Sequence, residues 1–483
     1  MKVLFAGSEC YPFVKTGGLA DVMGALPKAL KAEGIDVRVI LPKYGCIPDR
    51  FKEKMEYITH FYMRLGNNPF EKYVGLLTCE LDGITYYFID NEEYYSYGNP
   101  YTDIINDIER YIFFSKAVLA ALPVLDFLPD IIHCHDWQAA LIPVYLRTLF
   151  KDTEMAHKAK TVFTIHNLKF QGIHSPHYIQ SLSGLPDYVF GMNDLLHNKD
   201  ANMLKGAIVF SDKVTTVSET YAWEITTPEY GESLEGVLSY YQYKLCGIVN
   251  GIDYEVYNPE TDSRLFKNYG TKDFVTGKRE NKLKLQEELG LEVNKDKFVI
   301  GLISRLTDQK GLDLVSSIIE PLIDGNTQFI LIGTGDPWYE GMFRELENRY
   351  KGQVSSNIMY SDERARKLYA AADIMLVPSR FEPCGLTQLM AFRYGAIPVV
   401  RETGGLKDTV QPYNEYEETG NGFSFDRYDA GLLLDTINYA KTVYFERQKS
   451  WRGIMRRAIT ADYSWNVSAE KYKFLYQELE SWQ

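Results

Sequence analysis

At 483 residues the chain is too long for one hydrophobic core, and a usual domain size of about 100 to 200 residues divides it into two or three domains. A formal net charge of -13 would repel nucleic acid and anionic membrane over most of the surface, which leaves a small ligand or a neutral polymer as the fitting partner. The six cysteines, at positions 10, 46, 79, 134, 246 and 384, form no C-x-x-C pair, as expected of free thiols in a reducing compartment.

The chain opens on an apolar strand at 3–6, with no charged and apolar leader before it. Its most apolar stretch, 111–128, is interrupted by Lys116, Pro123 and Asp126, so neither export nor a membrane span is expected. The expected location is the cytoplasm, or a plastid if a transit peptide has been removed.

After the first strand comes Lys15-Thr16-Gly17-Gly18-Leu19-Ala20-Asp21, at the head of a helix with Leu19, Val22, Met23, Leu26 and Leu30 on one apolar stripe. Bare amides at a glycine-rich helix start, the helix dipole and Lys15 together suit an anion such as phosphate, although a glycine pair also serves as a plain turn. Further β-branched runs at 37–41, 86–89, 131–133, 161–165 and 214–217 alternate with helical patterns, the βαβ rhythm of a parallel sheet. The rhythm restarts at 298–303, 329–332, 374–377 and 397–400, so a second α/β domain is expected. Between them, 250–281 is charged and poorly periodic and reads as a hinge region.

Several loops at strand ends carry chemistry. His133-Cys134-His135-Asp136-Trp137 puts two imidazoles on one strand face. A metal site, a satisfied structural pair, and a sugar-binding Asp136 with a stacking or packing Trp137 are all open readings. His166, followed by Asn167, also ends a strand and suits either a sugar hydroxyl or a partner within its loop. Arg305 and Lys310 follow the strand at 298–303 and could hold a diphosphate, unless they are solvated loop cations. Glu382, in Ser379-Arg380-Phe381-Glu382-Pro383-Cys384-Gly385-Leu386-Thr387-Gln388, precedes a helix expected at 385–394. It suits sugar hydroxyls, developing charge at an anomeric carbon, or helix capping. The pattern Thr16-Gly17-Gly18-Leu19-x-Asp21 recurs as Thr403-Gly404-Gly405-Leu406-x-Asp408, again between strand and helix. Gly333-Thr334-Gly335 is a dinucleotide fingerprint without its third glycine, and the chain has no Walker loop, no G-x-S-x-G elbow and no Asp-x-Asp pair.

Taken in order, Lys15 to Leu19, His135-Asp136-Trp137, His166-Asn167, Asn250-Gly251-Ile252-Asp253, Arg305 with Lys310, and Glu382 to Leu386 resemble the bacterial glycogen synthase and plant starch synthase family over nearly the whole chain. The resemblance implies a GT-B fold, an α/β class with two Rossmann-like doubly wound parallel-sheet domains facing a deep cleft. The domains would be 1–250 on the glucan acceptor side and 251–463 on the nucleotide-sugar donor side. A C-terminal helix at 464–483, with 467–482 as its sequence candidate, would cross back to the first domain.

It also implies retaining transfer of glucose from ADP-glucose to the non-reducing end of an α-1,4-glucan, with no metal and no cofactor. Donor and glucan (glycogen, starch or maltooligosaccharide) are then the partners. By the same pattern Lys15, Arg305 and Lys310 contact phosphates. Gly18 and the Gly405 and Leu406 amides face phosphate or glucose, and Gly17, Asp21, Gly335 and Gly404 are further substrate-binding candidates. Asp136, His166, Asn250, Glu382, Cys384 and Gly385 line the glucose pocket, and Tyr360 lies against the adenine ring. Trp137, Asn167, Leu386 and Thr387 are further substrate-binding candidates; Glu382, Arg305, Lys310, His166 and Asp136 are the catalytic candidates. Met390 stands where related transferases carry the second glutamate of an E-x7-E pattern, leaving Thr387 or Gln388 as substitutes near the nucleotide. Three rivals remain: a GT-B enzyme with another donor such as UDP-glucose, a non-catalytic glucan binder, and a nicotinamide-dependent dehydrogenase.

Overall fold

In the computed structural model, which describes residues 1–481, the chain forms two compact units: Met1–Gly251 with the segment from Trp465 onward, and Ile252–Ser464. The first unit contains β1 (Lys2–Ala6), β2 (Asp36–Pro42), β3 (Glu56–Arg64), β4 (Glu71–Leu81), β5 (Ile84–Asp90), β6 (Ile131–His135) and β7 (Lys160–Ile165). Three short strands follow, β8 (Ile173–His174), β9 (Leu196–His197) and β10 (Asp200–Asn202), and then β11 (Lys213–Thr216) and β12 (Leu245–Gly247).

Its main sheet has the order β12-β11-β7-β6-β1-β2-β5-β4-β3, and β8 to β10 form a small antiparallel sheet. From β12 to β5 every pair is parallel, which is why these strands read as continuous apolar runs; Val3, Leu4, Phe5 and Ala6 are all fully buried. The order reverses at β1, which pairs with β2 on one side and β6 on the other. Loops leaving the carboxyl ends of strands at such a reversal diverge and open a crevice, the usual ligand position in open α/β sheets.

The first helix, Gly18–Ala32, buries Leu19, Val22, Met23, Leu26 and Leu30. The final helix, Trp465–Glu480, packs against the first helix and buries Tyr472, Leu475, Tyr476 and Leu479. Trp482, where the sequence reading ends that helix, lies outside the described residues. β3 and β4 add an antiparallel hairpin to the sheet edge that the apolar pattern does not reveal. It is half solvated, with Tyr57 and Tyr62 each 58% exposed, so no uninterrupted apolar run marks it.

The second unit has β13 (Phe298–Ile303), β14 (Thr327–Ile332), β15 (Val354–Asn357), β16 (Ile374–Val377), β17 (Ile397–Arg401) and β18 (Phe423–Phe425) in the order β15-β14-β13-β16-β17-β18. All neighbours are parallel, and the order reverses between β13 and β16. β15 (VSSN) and β18 (FSF) are too short or polar to be read from pattern.

The stretch 250–281 is not a free hinge. Ile252, Tyr257, Leu265 and Tyr269 are buried in the second unit's core, and the helix Phe274–Glu288 begins within it. Its charge is partly internal: Asp262 accepts from the Tyr394 hydroxyl at 2.6 Å and pairs with Arg366 at 3.3 Å.

Candidate active site

The loop after β1 leads to the start of the first helix. Gly17 occupies the N-cap without a side chain to cap it, and Glu9 supplies the cap. Glu9 Oε2 accepts from the Thr16 amide at 2.5 Å, the Thr16 hydroxyl at 2.7 Å and the Gly17 amide at 3.2 Å, while Tyr101 donates to Oε1 at 3.1 Å. A carboxylate of the chain itself therefore sits at the positive helix end that the sequence reserves for an anion. Lys15 is paired as well, with Asp21 at 2.6 Å in the first helical turn.

Asp136 follows β6 with φ 57° and ψ 178°, a region almost confined to glycine that costs roughly 1–3 kcal/mol. The neighbouring strand end holds it there. Its amide donates to Thr164 O at 3.0 Å, its Oδ1 accepts from the His166 amide at 2.8 Å, and the Asn167 amide also donates to its carboxylate. Enclosure by protein, with Glu9 nearby, pushes the carboxyl up to about 7. His166 is held neutral by enclosure, its pKa lowered to about 3, and its Nε2 meets His135 Nδ1 at 3.0 Å.

The two imidazoles expected on one face of β6 stack at 4.2 Å. His133 is structurally satisfied, with Nδ1 2.7 Å from the Tyr476 hydroxyl and Nε2 2.6 Å from Thr164 Oγ1. Of the stacking and packing roles left open for Trp137, the structure shows packing. Its ring is buried edge-on against Tyr111, and Gly172 lies against it, so it packs the loop. Asn167 Oδ1 closes a turn with the Lys169 amide at 3.1 Å. Asn250 is buried, and its Oδ1 meets no partner among the described residues.

In the second unit Arg305 and Lys310 follow β13 and the Glu382 loop follows β16. Because these strands are neighbours, the two loops meet. Lys310 Nζ lies 2.6 Å from Glu382 Oε2, and the Ser379 hydroxyl donates to the same oxygen at 2.8 Å. Arg401 of β17, buried, donates to Ser379 O at 2.9 Å and also to Arg380 O, clamping the loop from below. Glu382 is buried, whereas Arg305 is exposed and has no ion-pair partner among the described residues.

The glycine pair Gly404-Gly405 presses against this loop. A Cβ at either position would fall 2.0 Å from a carbonyl oxygen, that of Glu382 or of Cys384 respectively. The Gly405 amide donates to Glu382 O at 3.2 Å and Pro383 O at 3.1 Å, and the Leu406 amide to Thr403 O at 3.1 Å. These two amides, expected to face phosphate or glucose, are thus spent inside the protein, and the glycines seat the Glu382 loop.

Cys384 is buried, and Gly385, at φ 71°, delays the helix to Thr387–Arg393, with Leu386 at its cap. Gln388 is fully buried and donates to Cys384 O, Gly385 O and Thr409 Oγ1, so it does not substitute near a nucleotide. The Gly335 amide donates to Glu340 Oε1 at 3.1 Å, and Tyr360 is 82% exposed with its ring open.

Sequence reasoning missed Glu9, Ser379 and Arg401. Ser379, three residues before Glu382, carried a readable signal. Glu9 acts on the Thr16 and Gly17 amides of its own loop and Arg401 on carbonyls of the Glu382 loop, backbone partners that leave no motif.

The chain matches the family described as starch synthase catalytic domain over residues 2–240, and that of glycosyl transferases group 1 over 286–453. It is 54% identical to a glycogen synthase of Lachnospira eligens over 99% of both chains. It is 52% identical to one of Lachnoclostridium phytofermentans, over 99% of this chain and 100% of that one. Among solved structures, the catalytic domain of starch synthase IV from Arabidopsis thaliana, bound to ADP and acarbose, superposes with a TM-score of 0.91 at 33% identity, covering 99% of each chain. Two α/β units of this kind, each reversing its strand order where the site loops emerge, joined to full-length identity of this level, place the chain in the GT-B glycosyltransferases: it belongs to the glycogen synthase family.

Proposed function

We propose that the protein transfers glucose from ADP-glucose to the non-reducing end of an α-1,4-glucan, with retention at the anomeric carbon. The observation that carries this reading is the Lys310–Glu382 contact of 2.6 Å next to an Arg305 with no ion-pair partner among the described residues. Two cations held at the end of β13 suit a diphosphate whose negative charge grows as the glycosidic bond stretches. Within the first unit, Lys15 and Gly18 are the residues that the family pattern assigns to phosphate, while the Gly17 amide is held by Glu9. Asp136, His166, Asn167, Asn250, Glu382, Cys384 and Gly385 serve the glucose, and the open ring of Tyr360 serves the adenine.

Neither carboxylate is presented as a free nucleophile. Glu382 Oε2 already accepts from Lys310 and Ser379, and the Asp136 carboxyl takes the His166 and Asn167 amides. This supports a route in which the leaving diphosphate is stabilised and the acceptor hydroxyl enters on the same face of an oxocarbenium-like sugar. The names of the relatives, and the ADP and acarbose bound to the Arabidopsis domain, support the substrate pair. No helix among the described residues is long and apolar enough to cross a membrane, and the six cysteines are free thiols, in keeping with a cytoplasmic enzyme.

The test is nucleotide release from ADP-glucose and, in parallel, UDP-glucose, each with and without glycogen. Glycogen-dependent ADP release with glucan growth is expected. Release from UDP-glucose alone would move the donor assignment, and no release from either would end the catalytic reading.

A further inference from the structure

We propose that His135 sets the tautomer of His166, so that His166 offers its Nδ1–H as a hydrogen-bond donor toward the substrate sugar. His135 acts here as a positioning residue, through His166.

The two rings meet through one hydrogen bond, His135 Nδ1 to His166 Nε2 at 3.0 Å. Both imidazoles are held neutral by enclosure, so each carries one ring proton and the shared bond holds one. Two arrangements satisfy it. If His166 donates from Nε2, His135 must carry its own proton on Nε2. That nitrogen is buried and meets no partner among the described residues, so an N–H would be stranded there. If His135 instead donates from Nδ1, only a lone pair is left at Nε2, and His166 carries its proton on Nδ1. Stranded buried N–H groups are the rarer and costlier kind of unsatisfied polar atom, which selects the second arrangement.

The surroundings keep His135 in place. His133 stacks against its ring at 4.2 Å and Phe5 approaches at 5.0 Å. His133 is itself pinned at both nitrogens, by Tyr476 of the final helix and Thr164 of β7. Among the described residues the Tyr476 hydroxyl has no hydrogen-bond partner except His133, so its proton goes to Nδ1 and that ring too is confined to one tautomer. The chemical gain is specific. A neutral ring with its N–H forward can bind a sugar oxygen without placing a positive charge beside an anomeric carbon that is itself becoming positive. That use of the proton rests on the glucosyl-transfer reading, whereas the tautomer does not.

The experiment is nitrogen-15 NMR of the full chain labelled at its eight histidines, with His166→Gln identifying the His166 signal. The wild type is expected to show His166 protonated on Nδ1. His135→Leu should shift it toward the Nε2–H form, and His135→Asn, whose amide can donate from the place of Nδ1, should restore it. In ADP-release assays His135→Leu should lower kcat about tenfold with little change in KM, and His135→Asn should recover most of the loss. His166 protonated on Nε2 in the wild type overturns the proposal, whatever the activities and whether or not the leucine variant folds. An inactive wild type with the Nδ1–H tautomer would instead leave this assignment standing and sink the donor reading.

Discussion

Glu9 Oε2 lies 2.5 Å from the amide nitrogen of Thr16, so the start of the first helix is capped by a carboxylate from six residues before Lys15. Gly17, at the N-cap position, has no side chain with which to do this. Replacing a cap of this type costs about 1–2 kcal/mol. Glu9→Ala should therefore lower the urea unfolding free energy of the protein by roughly that amount, and Glu9→Gln, which keeps an acceptor oxygen, by less. Equal stability in all three proteins would show that the contact contributes nothing.

The Lys310–Glu382 pair makes a separate prediction, because both side chains are largely shielded from solvent. Lys310→Met leaves a carboxylate without its cation, and removing one partner of a buried pair costs on the order of 3–5 kcal/mol at full burial, less here at the rim. Adding Glu382→Gln should recover much of the lost thermal stability. Neither variant should recover turnover, which is expected to fall about 100-fold or more. A double variant no more stable than Lys310→Met would contradict the pairing.

Acid should act on the first unit through its histidines. His133, His135 and His166 are all held below the ordinary value of about 6.5 by burial, His166 to about 3. Between those limits the unfolded chain binds more protons than the folded one. Stability is therefore fully present above about pH 6.5 and drains away as the pH falls. For His166 the loss at pH 5 is about 2 kcal/mol. Urea titrations at pH 7.5 and pH 5 should show a smaller difference for His166→Gln than for the wild type; identical differences would remove His166 from the account.

Asp136 works in the opposite sense. Its carboxyl is pushed up to about 7 by burial, so the proton it holds favours the folded state below about pH 4, and that contribution is lost as the pH rises through 7. Asp136→Asn cannot ionise. Its melting temperature relative to the wild type should be higher at pH 8 than at pH 5, while transfer activity drops. A pH-independent offset would argue against the raised pKa.

What could be read from the sequence follows from how each feature is encoded. The strands of β13 and β16 are continuous apolar runs buried on both faces, and their limits, 298–303 and 374–377, match the residues read from pattern. The residues at their carboxyl ends, Arg305, Lys310 and Glu382, inherit their placement from that regularity. Features made by distant partners leave no such trace. His133 and Tyr476 are 343 positions apart, and neither lies in a pattern that names the other. Gly404 and Gly405 look like a second anion loop because they repeat Gly17 and Gly18. Only the structure shows that the Glu382 and Cys384 carbonyls occupy the place a Cβ would need at Gly404 and Gly405, so that glycine is required there for packing against the Glu382 loop. The charged stretch near Asp262 misleads for a related reason, since the Asp262 carboxylate answers Arg366 and Tyr394 instead of solvent.

The final helix also sets an order of events during synthesis. Residues 252–464 must leave the ribosome before Trp465–Glu480 can, yet that helix lies on the first helix and supplies Tyr476 to His133. The first unit is therefore translated almost entirely and then waits, with an apolar seam along the first helix uncovered and the ring behind His135 unpinned, while a whole second unit is made. Nascent chains stalled anywhere in that interval should be the most prone to capture by chaperones and to proteolysis, and the full-length chain released from the ribosome should be protected.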